Sequence, residues 1–273
     1  MIRHEYAQSR GNLVYYSYQL FEPFPQISCI VSTRLGGVSE DHLHSLNLSF
    51  SVGDTEQAVL TNRSRLYHIV DVEPQSVAQA HLVHGNHIEI VTSQSLTGTY
   101  QAFAETDGLV TNVAHTPLMI PVADCAAVAF FDPKQQVIAL LHAGWKGIVS
   151  NIVAKMVSTM HQTFGCRTFD ILVAISPSLG PCCYEVREDL VAAFHEAFPT
   201  HAQDFFRLRP DATIHLDMWA ALRYQLRESG IRPEYIEESG RCTACHLDEF
   251  YSHRAERGKT GRFAGLIVLH SAT

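Results

Sequence analysis

The order of apolar and polar positions predicts a chain in which strands and helices alternate. Apolar, β-branched runs bounded by turn residues are typical of strands, and apolar positions three or four residues apart are typical of helices. The predicted strands are Ile27–Thr33, Ser76–Val83, His87–Val91, Gly108–Thr111, Leu118–Val122, Cys125–Phe131, Gln136–His142, Asp170–Ile175, Arg232–Ile236 and Phe263–Leu269. The predicted helices are Glu56–Val70, Ile148–Phe164, Arg187–Phe198 and Leu216–Glu228.

Several features of this pattern define the fold class. Hairpins intervene between the alternating strands and helices, so the sheets are expected to be mixed rather than purely parallel. Thr55 is a suitable N-cap for the first helix, and Gly165 is a suitable end for the second. No repeat or low-complexity linker marks a boundary, which predicts one α/β domain over residues 1–273.

The most informative local pattern is a predicted β-hairpin. Two central apolar runs flank the turn sequence Asp132–Gln135, in which Pro133 suits a type I turn. If the ends of this turn pair, Cys125 stands opposite His142 with Cβ atoms about 4.5–5.5 Å apart. A thiolate and an imidazole at that distance can share one metal ion or one proton, although a one-residue bulge would separate them.

A third metal ligand could come from the histidines near the end of the Ser76–Val83 run. His81, His84 and His87 are all available, and the break at Gly85 prevents strand alternation from choosing among them. The position of these residues alone leaves the choice open.

A second cysteine motif lies late in the chain. Cys242, Cys245 and His246 match the C-x-x-C-H pattern of c-type haem attachment. Haem attachment occurs in exported proteins, and the N-terminal residues have no signal-peptide pattern, so we expect no haem. A zinc ribbon would need a second C-x-x-C pair, which the sequence does not contain.

Composition narrows the function classes. The net charge is −8 with only 20 Lys and Arg, which argues against nucleic acid or a membrane surface as the main partner. No apolar run reaches the roughly 18 residues of a membrane span. Seven cysteines without a secretion signal indicate free thiols or metal ligands in a cytoplasmic protein. Small molecules are therefore the expected partners.

Short motifs spread over most of the chain then indicate a family. They are Ser32–Ser39, Ser45–Leu48, Val83–Gly85, Ala123–Cys125, His142–Gly147, Gly180–Val186, Cys242–Thr243 and Thr260–Arg262. Together, in this order, they resemble the laccase-domain family of purine nucleoside phosphorylases, formerly called polyphenol oxidoreductases and also a peptidoglycan editing factor. Leu82 replaces the usual Gln before V-H-G, and Ser252–Ala255 lacks one of two usual arginines.

The resemblance implies a metal held by His84, Cys125 and His142, in agreement with the hairpin prediction for the last two. It implies zinc, with copper as the alternative metal. It also implies phosphorolysis of adenosine, inosine and methylthioadenosine, together with deamination of adenosine. The implied fold is a four-layer α/β/β/α sandwich with mixed sheets, similar to that of deamidating-toxin cysteine hydrolases.

Further site residues are predicted around this metal. A guanidinium can donate two parallel hydrogen bonds to an oxyanion, so Arg34 is a candidate for phosphate binding. A structural ion pair on a turn is an equal alternative for this residue. Lys146, beside a helix N-terminus expected after Gly147, is a second candidate for anion binding. Asp124 is a candidate proton carrier, although strand alternation points it away from Cys125. Two more candidate substrate contacts are Asn47 and Arg254.

Two other functions compete with this interpretation. Cys125 and His142 could form a metal-free cysteine hydrolase or deamidase, with the thiolate as nucleophile and the imidazole as base. Alternatively, the chain could be a metal-binding protein without catalysis. A copper polyphenol oxidase is less favoured, because blue-copper sites need two His, a Cys and a weak axial ligand in β-rich folds. Purine nucleosides and phosphate are the expected partners of a monomer or homodimer.

Overall fold

A computed structural model describes residues 1–6, 12–95 and 101–271 of the chain. Within those residues the strands are β1 (Ile2–Tyr6), β2 (Leu13–Ser17), β3 (Ile27–Ser32), β4 (Ala78–Ala80), β5 (Ile88–Ile90), β6 (Gln101–Phe103), β7 (Gly108–Thr111), β8 (Leu118–Val122), β9 (Ala126–Asp132), β10 (Val137–Ala143), β11 (Leu172–Ile175), β12 (Glu185–Val186), β13 (Phe206–Leu208), β14 (Ile214–Leu216), β15 (Ile236–Glu238) and β16 (Phe263–Leu269). The helices are α1 (Glu56–Ile69), α2 (Trp145–Val149), α3 (Ile152–Phe164), α4 (Glu188–Ala197) and α5 (Met218–Glu228).

Two large mixed sheets form the centre of the protein. Over the described residues, one sheet has the strand order β1-β2-β3-β16-β8-β4-β6 and the other has the order β15-β11-β9-β10-β7-β5. Most neighbours are antiparallel, but β4 runs parallel to both β6 and β8, β5 runs parallel to β7, and β11 runs parallel to β15. A small sheet of β12, β14 and β13 lies beside them. The prediction of mixed sheets is confirmed.

The alternation of side chains along the central strands explains the layers. On β9, Phe130 packs with the helices α3 and α5, whereas its neighbour Phe131 packs between the two sheets. On β16, Ile267 faces the inter-sheet core, whereas Leu266 packs against α1. Both strands are apolar on both faces because both faces are buried. The layers are therefore α1, the seven-stranded sheet, the six-stranded sheet and the remaining helices, as the α/β/β/α prediction requires.

The central hairpin forms with a register different from the predicted one. Val137 pairs with Asp132, and His142 pairs with Ala127 rather than with Cys125. The loop is two residues longer because the Asp132 carboxylate accepts hydrogen bonds from the backbone of Lys134 and Gln135. A two-residue shift keeps every side chain on its face, so Cys125 and His142 still lie on the same side of the sheet.

The predicted helix Ile148–Phe164 is two helices, α2 and α3. Asn151 separates them in a left-handed conformation, with φ of 62°. The Gln225 side chain of α5 stabilises this break by donating to the Ile148 carbonyl and to Asn151 Oδ1. Gly165 ends α3 with φ of 71°, and Thr55 caps α1 through the Ala58 amide, so both predicted end signals are confirmed.

Some predicted strands are shorter or displaced. Ser76–Val83 and His87–Val91 contain only the short strands β4 and β5. Most of Arg232–Ile236 is not a strand: Pro233–Tyr235 forms a 3₁₀ turn, and β15 begins at Ile236. Pro233 has no amide hydrogen for a ladder, which explains the later start. The single-domain assignment and the likeness to deamidating toxins stay predictions.

Candidate metal centre

Three side chains converge at one end of the central hairpin. The ligand atoms of His84, Cys125 and His142 all lie within 4.8 Å of one another. Two bonds to one zinc ion, each about 2.0–2.3 Å long, span up to roughly 4.5 Å. The three side chains are therefore close enough to share an ion after small adjustments.

Each of these side chains is placed by a different local structure. His142 is the penultimate residue of β10, and Cys125 directly precedes the neighbouring strand β9. His84 lies in the turn after β4, where its φ of 58° aims it toward the hairpin. Of the three histidines left open by the sequence, only His84 is in this group among the described residues.

A buried carboxylate, Asp107, connects two of the ligands. Its Oδ1 lies 2.7 Å from His142 Nδ1 and accepts a hydrogen bond from the His84 amide at 3.0 Å. Its Oδ2 accepts the Gly85 amide at 2.7 Å. The contact leaves the other ring nitrogen of His142 for Cys125 or a metal, as in carboxylate–histidine–metal arrangements. Asp107 was not predicted from the sequence, where its only signal is a carboxylate immediately before a buried strand.

The electrostatics favour a thiolate at Cys125. Burial raises its pKa, but the positive charge of His142 and hydrogen bonds from His142 and His84 together lower it to about 6. Burial lowers the pKa of His142, but the charge of Cys125 and the hydrogen bond to Asp107 raise it to about 9. Without a metal, the pair is a thiolate and an imidazolium near neutral pH, a state that suits metal binding or nucleophilic attack.

The space beside the three ligands fits an ion. A Cβ added at Gly144 would lie 3.0 Å from Cys125 Sγ and 3.2 Å from His84 Nδ1. Because Gly144 has no side chain, a gap is left beside the Cys125 sulfur and the His84 ring nitrogen. One thiolate and two imidazoles are a donor set that zinc and copper both accept. His84, Cys125 and His142 are thus the residues that would hold the metal.

The three side chains open into a cavity of about 660 Å³, which lies in the range for small-molecule sites. Its wall combines metal-binding, apolar and cationic groups. Besides the ligands, the lining includes Ser49, Phe50, Gln79, Leu179, Tyr184, Met218, His253, Arg254 and Arg262.

Two arginines give the cavity a positive charge. Arg262 is half-buried, and its guanidinium donates to the carbonyls of Thr260 and Gly261. Arg254 is more exposed; its guanidinium donates to the Glu185 carbonyl and lies over the Tyr184 ring. Within the described residues neither arginine has a carboxylate partner in an ion pair. Burial lowers the pKa of Arg262, against the opposing charges of Cys125 and Asp124. Both are therefore suited to hold an anion.

Arg262 was not predicted from the sequence as a substrate contact. The T-G-R motif before the last strand contained it, but nothing in one sequence showed that the strand begins at the cavity. Arg254 was predicted, and it lines the cavity.

Three other predicted contacts lie away from the described cavity wall. Arg34 pairs with Glu256 at 3.1 Å and stacks on Tyr251, so it forms the structural ion pair that was the alternative to phosphate binding. Lys146 is exposed within α2, which begins at Trp145, so the predicted helix start after Gly147 is wrong. Asn47 is buried, and its Oδ1 accepts from the Arg262 amide, so it positions that arginine.

Asp124 lies in the cavity wall with both carboxylate oxygens engaged. Its Oδ1 accepts from the Thr243 hydroxyl and its Oδ2 from the Arg254 amide, each at 2.6 Å. The Asp124 backbone has a φ of 85°, which is not a strand conformation. The alternation of side chains along a strand therefore does not predict where the Asp124 side chain points relative to Cys125. Asp124 therefore connects the hairpin to the segments that carry Thr243 and Arg254.

No helix in the described part of the chain has the length and apolar character that crossing a membrane requires.

The sequence also has clear relatives. Purine nucleoside phosphorylase YlmD of Geobacillus stearothermophilus is 34% identical over 249 residues, 90% of this chain and 91% of that protein. The protein of the same name from Bacillus subtilis is 34% identical over 245 residues, 88% of each chain.

Solved structures and a family model agree with these relatives. The crystal structure of YlmD from Geobacillus stearothermophilus superposes with a TM-score of 0.88 at 31% identity, covering 98% of this chain and 99% of that one. The family model described as multi-copper polyphenol oxidoreductase laccase matches residues 28–270. Because this match spans most of the sequence, the chain belongs to the laccase-domain family that the model describes.

Proposed function

We propose that the protein is a zinc-dependent purine nucleoside phosphorylase. The observation that carries the proposal is a single cavity that contains both the His84–Cys125–His142 group and two arginines, Arg254 and Arg262, without carboxylate partners among the described residues. The names of the YlmD relatives support the same activity. We further propose adenosine, inosine and methylthioadenosine as substrates, with deamination of adenosine as a second activity.

The cavity offers distinct surfaces for the parts of the reaction. In phosphorolysis, a phosphate oxygen bonds to C1′ of the ribose while the bond from C1′ to the base breaks and its electrons leave with the base. Arg254 and Arg262 would hold the phosphate, because guanidinium groups donate paired hydrogen bonds to oxyanions. Tyr184 and Phe50 offer aromatic surface for the purine.

The metal would add Lewis-acid chemistry and could supply hydroxide, since bound zinc lowers the pKa of water to about 7. Asp107 would keep His142 oriented toward the metal through its hydrogen bond. Asp124 would hold Arg254 and Thr243 in place, and its role as a proton carrier stays a prediction.

The test is base release from each nucleoside by zinc-loaded protein, with and without phosphate. We expect free base and ribose 1-phosphate only when phosphate is present. Cys125→Ala should lose the metal bound by His84, Cys125 and His142 together with activity, because it removes the thiolate ligand. Wild-type, zinc-loaded protein that releases no base from any of the three nucleosides would contradict the proposal.

A second candidate function has one observation in its favour. Asp107, His142 and Cys125 form a connected carboxylate–imidazole–thiolate series, which is also the arrangement of a cysteine hydrolase. A chelated protein that keeps its activity, and loses it on alkylation of Cys125, would favour this candidate. Loss of activity on chelation and recovery with zinc would favour the phosphorylase.

The identity of the metal is tested separately. The family model is described as multi-copper, and the ligand set would accept copper as well as zinc. Metal analysis of protein purified without added metal, followed by activity with each ion alone, distinguishes the two. If the metal-loaded protein is inactive on nucleosides, the result would favour the alternative of a metal-binding protein without catalysis. Cytoplasmic location and a monomeric or homodimeric state stay predictions.

A further inference from the structure

Four cysteines from two distant segments meet behind one wall of the cavity. The sulfur atoms of Cys182, Cys183, Cys242 and Cys245 all lie within 4.8 Å of one another. Cys182 Sγ and Cys183 Sγ each lie 3.4 Å from Cys245 Sγ. The C-x-x-C motif therefore has a second cysteine pair in space, supplied by two adjacent residues rather than by a second C-x-x-C sequence. We call this group the four-cysteine cluster.

We propose that the four-cysteine cluster binds a structural zinc ion. Four thiolates at zinc–sulfur distances of about 2.3 Å form a tetrahedron whose edges are about 3.8 Å long. Two of the observed sulfur–sulfur separations are 3.4 Å, slightly shorter than that edge, and all of them lie within 4.8 Å. They are much longer than the roughly 2.05 Å of a disulfide bond, and all four cysteines are free thiols in the structure. A complete set of four protein ligands is the pattern of a structural rather than a catalytic zinc.

The backbone around the cluster supports metal binding. Cys182 and Cys183 lie in a turn closed by hydrogen bonds from the Cys183 and Tyr184 amides to the Gly180 carbonyl. A turn allows two adjacent side chains to reach one point, which an extended strand would not. The Gly180 amide donates to Cys242 Sγ at 3.3 Å, and such a hydrogen bond stabilises a thiolate that ligates a metal. Cys242 is buried, while Cys182 and Cys245 are exposed, so an ion could enter from solvent.

The position of the cluster gives the proposed ion a structural role. Leu179 and Tyr184 line the cavity on the segment that carries Cys182 and Cys183. On the other segment, Thr243 donates to Asp124, the residue directly before the ligand Cys125. An ion in the cluster would tie these two segments together and fix one wall of the cavity. The proposal concerns a second metal and does not depend on the reaction catalysed.

The experiment counts metal ions in the wild-type protein and four variants, each purified after expression with zinc. We expect two zinc ions per wild-type chain. Cys125→Ala should keep one, Cys182→Ser should keep one, and the double variant should keep none. Cys29→Ala, which removes a buried thiol outside both metal groups, is the matched control and should keep two.

Cobalt replacement identifies the ligands without an activity assay. Cobalt bound by four thiolates gives intense visible absorption, which should persist in Cys125→Ala and disappear in Cys182→Ser. Because Cys125→Ala leaves the cluster intact, the result does not depend on whether a cluster variant folds. Absence of both a second ion and the thiolate absorption from wild type would overturn the proposal. A Cys182–Cys245 or Cys183–Cys245 disulfide found by peptide mapping, or iron in place of zinc, would also overturn it.

Discussion

At the scale of single residues, Asp107 is the group on which the geometry of the metal centre depends. One buried carboxylate orients the His142 ring and fixes the turn that carries His84. Asp107→Asn should lower metal affinity about 10–100-fold, because the amide cannot accept all of these hydrogen bonds. Competition with a metal-sensitive dye measures the affinity. Asp211→Asn, in an exposed turn, is the control and should leave it unchanged.

Arg262 and Arg34 provide a paired test of the anion site. Arg262→Gln should raise the KM for phosphate about tenfold or more, since a hydrogen bond to a charged group contributes about 1.5–3 kcal/mol. Arg34→Gln should leave that KM near the wild-type value and lower thermal stability, because Arg34 pairs with Glu256 outside the cavity wall. Initial rates at varied phosphate concentration measure both effects. A larger change in the KM for phosphate in the Arg34 variant than in the Arg262 variant would indicate that Arg34, not Arg262, binds phosphate.

The reactivity of Cys125 in metal-free protein should follow its lowered pKa. The reactive species is the thiolate, so a pKa near 6 predicts that alkylation rises through about pH 6 and is nearly constant above pH 7. An ordinary thiol would still be gaining reactivity at pH 8 to 9. Peptide mapping after brief iodoacetamide treatment gives the rate for each cysteine. In His142→Gln the rise should move to higher pH, because the positive neighbour is lost; an unchanged profile would contradict the assigned cause.

The site residues that could not be predicted from the sequence are those whose positions depend on long-range strand order. Asp107 and Arg262 reach the site because they directly precede β7 and β16, which begin near it, and strand order is a long-range property. Cys125 and His142 were identifiable because they belong to one hairpin, where local register places them. The resemblance was needed to choose His84.

At the scale of elements, the turn between β10 and α2 must be free of a side chain. Gly144→Ala should remove the metal bound by His84, Cys125 and His142 while the fold is kept, because the new Cβ would lie 3.0 Å from Cys125 Sγ and 3.2 Å from His84 Nδ1. Gly85→Ala is the matched control, since its nearest contacts would be ordinary ones at 3.5 Å. Metal content and the circular dichroism spectrum of both variants check the prediction. A Gly144→Ala protein with full metal content would show that the gap is not the ion site.

Element boundaries were predictable where the signal was local. The strands β7, β8 and β16 and the cap at Thr55 match the sequence prediction, because turn residues and apolar runs define them directly. The break between α2 and α3 could not be predicted, because a side chain from α5 supports it. The hairpin register was wrong by two residues because the Asp132 side chain organises a longer loop than a simple type I turn.

At the scale of the whole molecule, metal binding should be coupled to stability. An ion that binds only the folded state stabilises it by about 2.7 kcal/mol at a free concentration one hundred times Kd. Chelation should therefore lower the melting temperature, and added zinc should restore it. In Cys125→Ala a chelator-sensitive shift should persist if the four-cysteine cluster holds its own ion. Differential scanning fluorimetry measures the shift. A wild-type melting temperature that does not change when chelator is added would contradict the coupling of metal binding to stability.

The position of β16 has a consequence for how the chain is synthesised. This strand lies between β3 and β8 in the seven-stranded sheet, yet it is the last of the seven in chain order. A nascent chain therefore carries two unpaired strand edges until β16 emerges from the ribosome, and such edges are prone to association with other chains. Arg262 emerges only just before β16. The growing polypeptide thus cannot assemble the complete cavity during most of translation, and protection by chaperones would matter most in that interval.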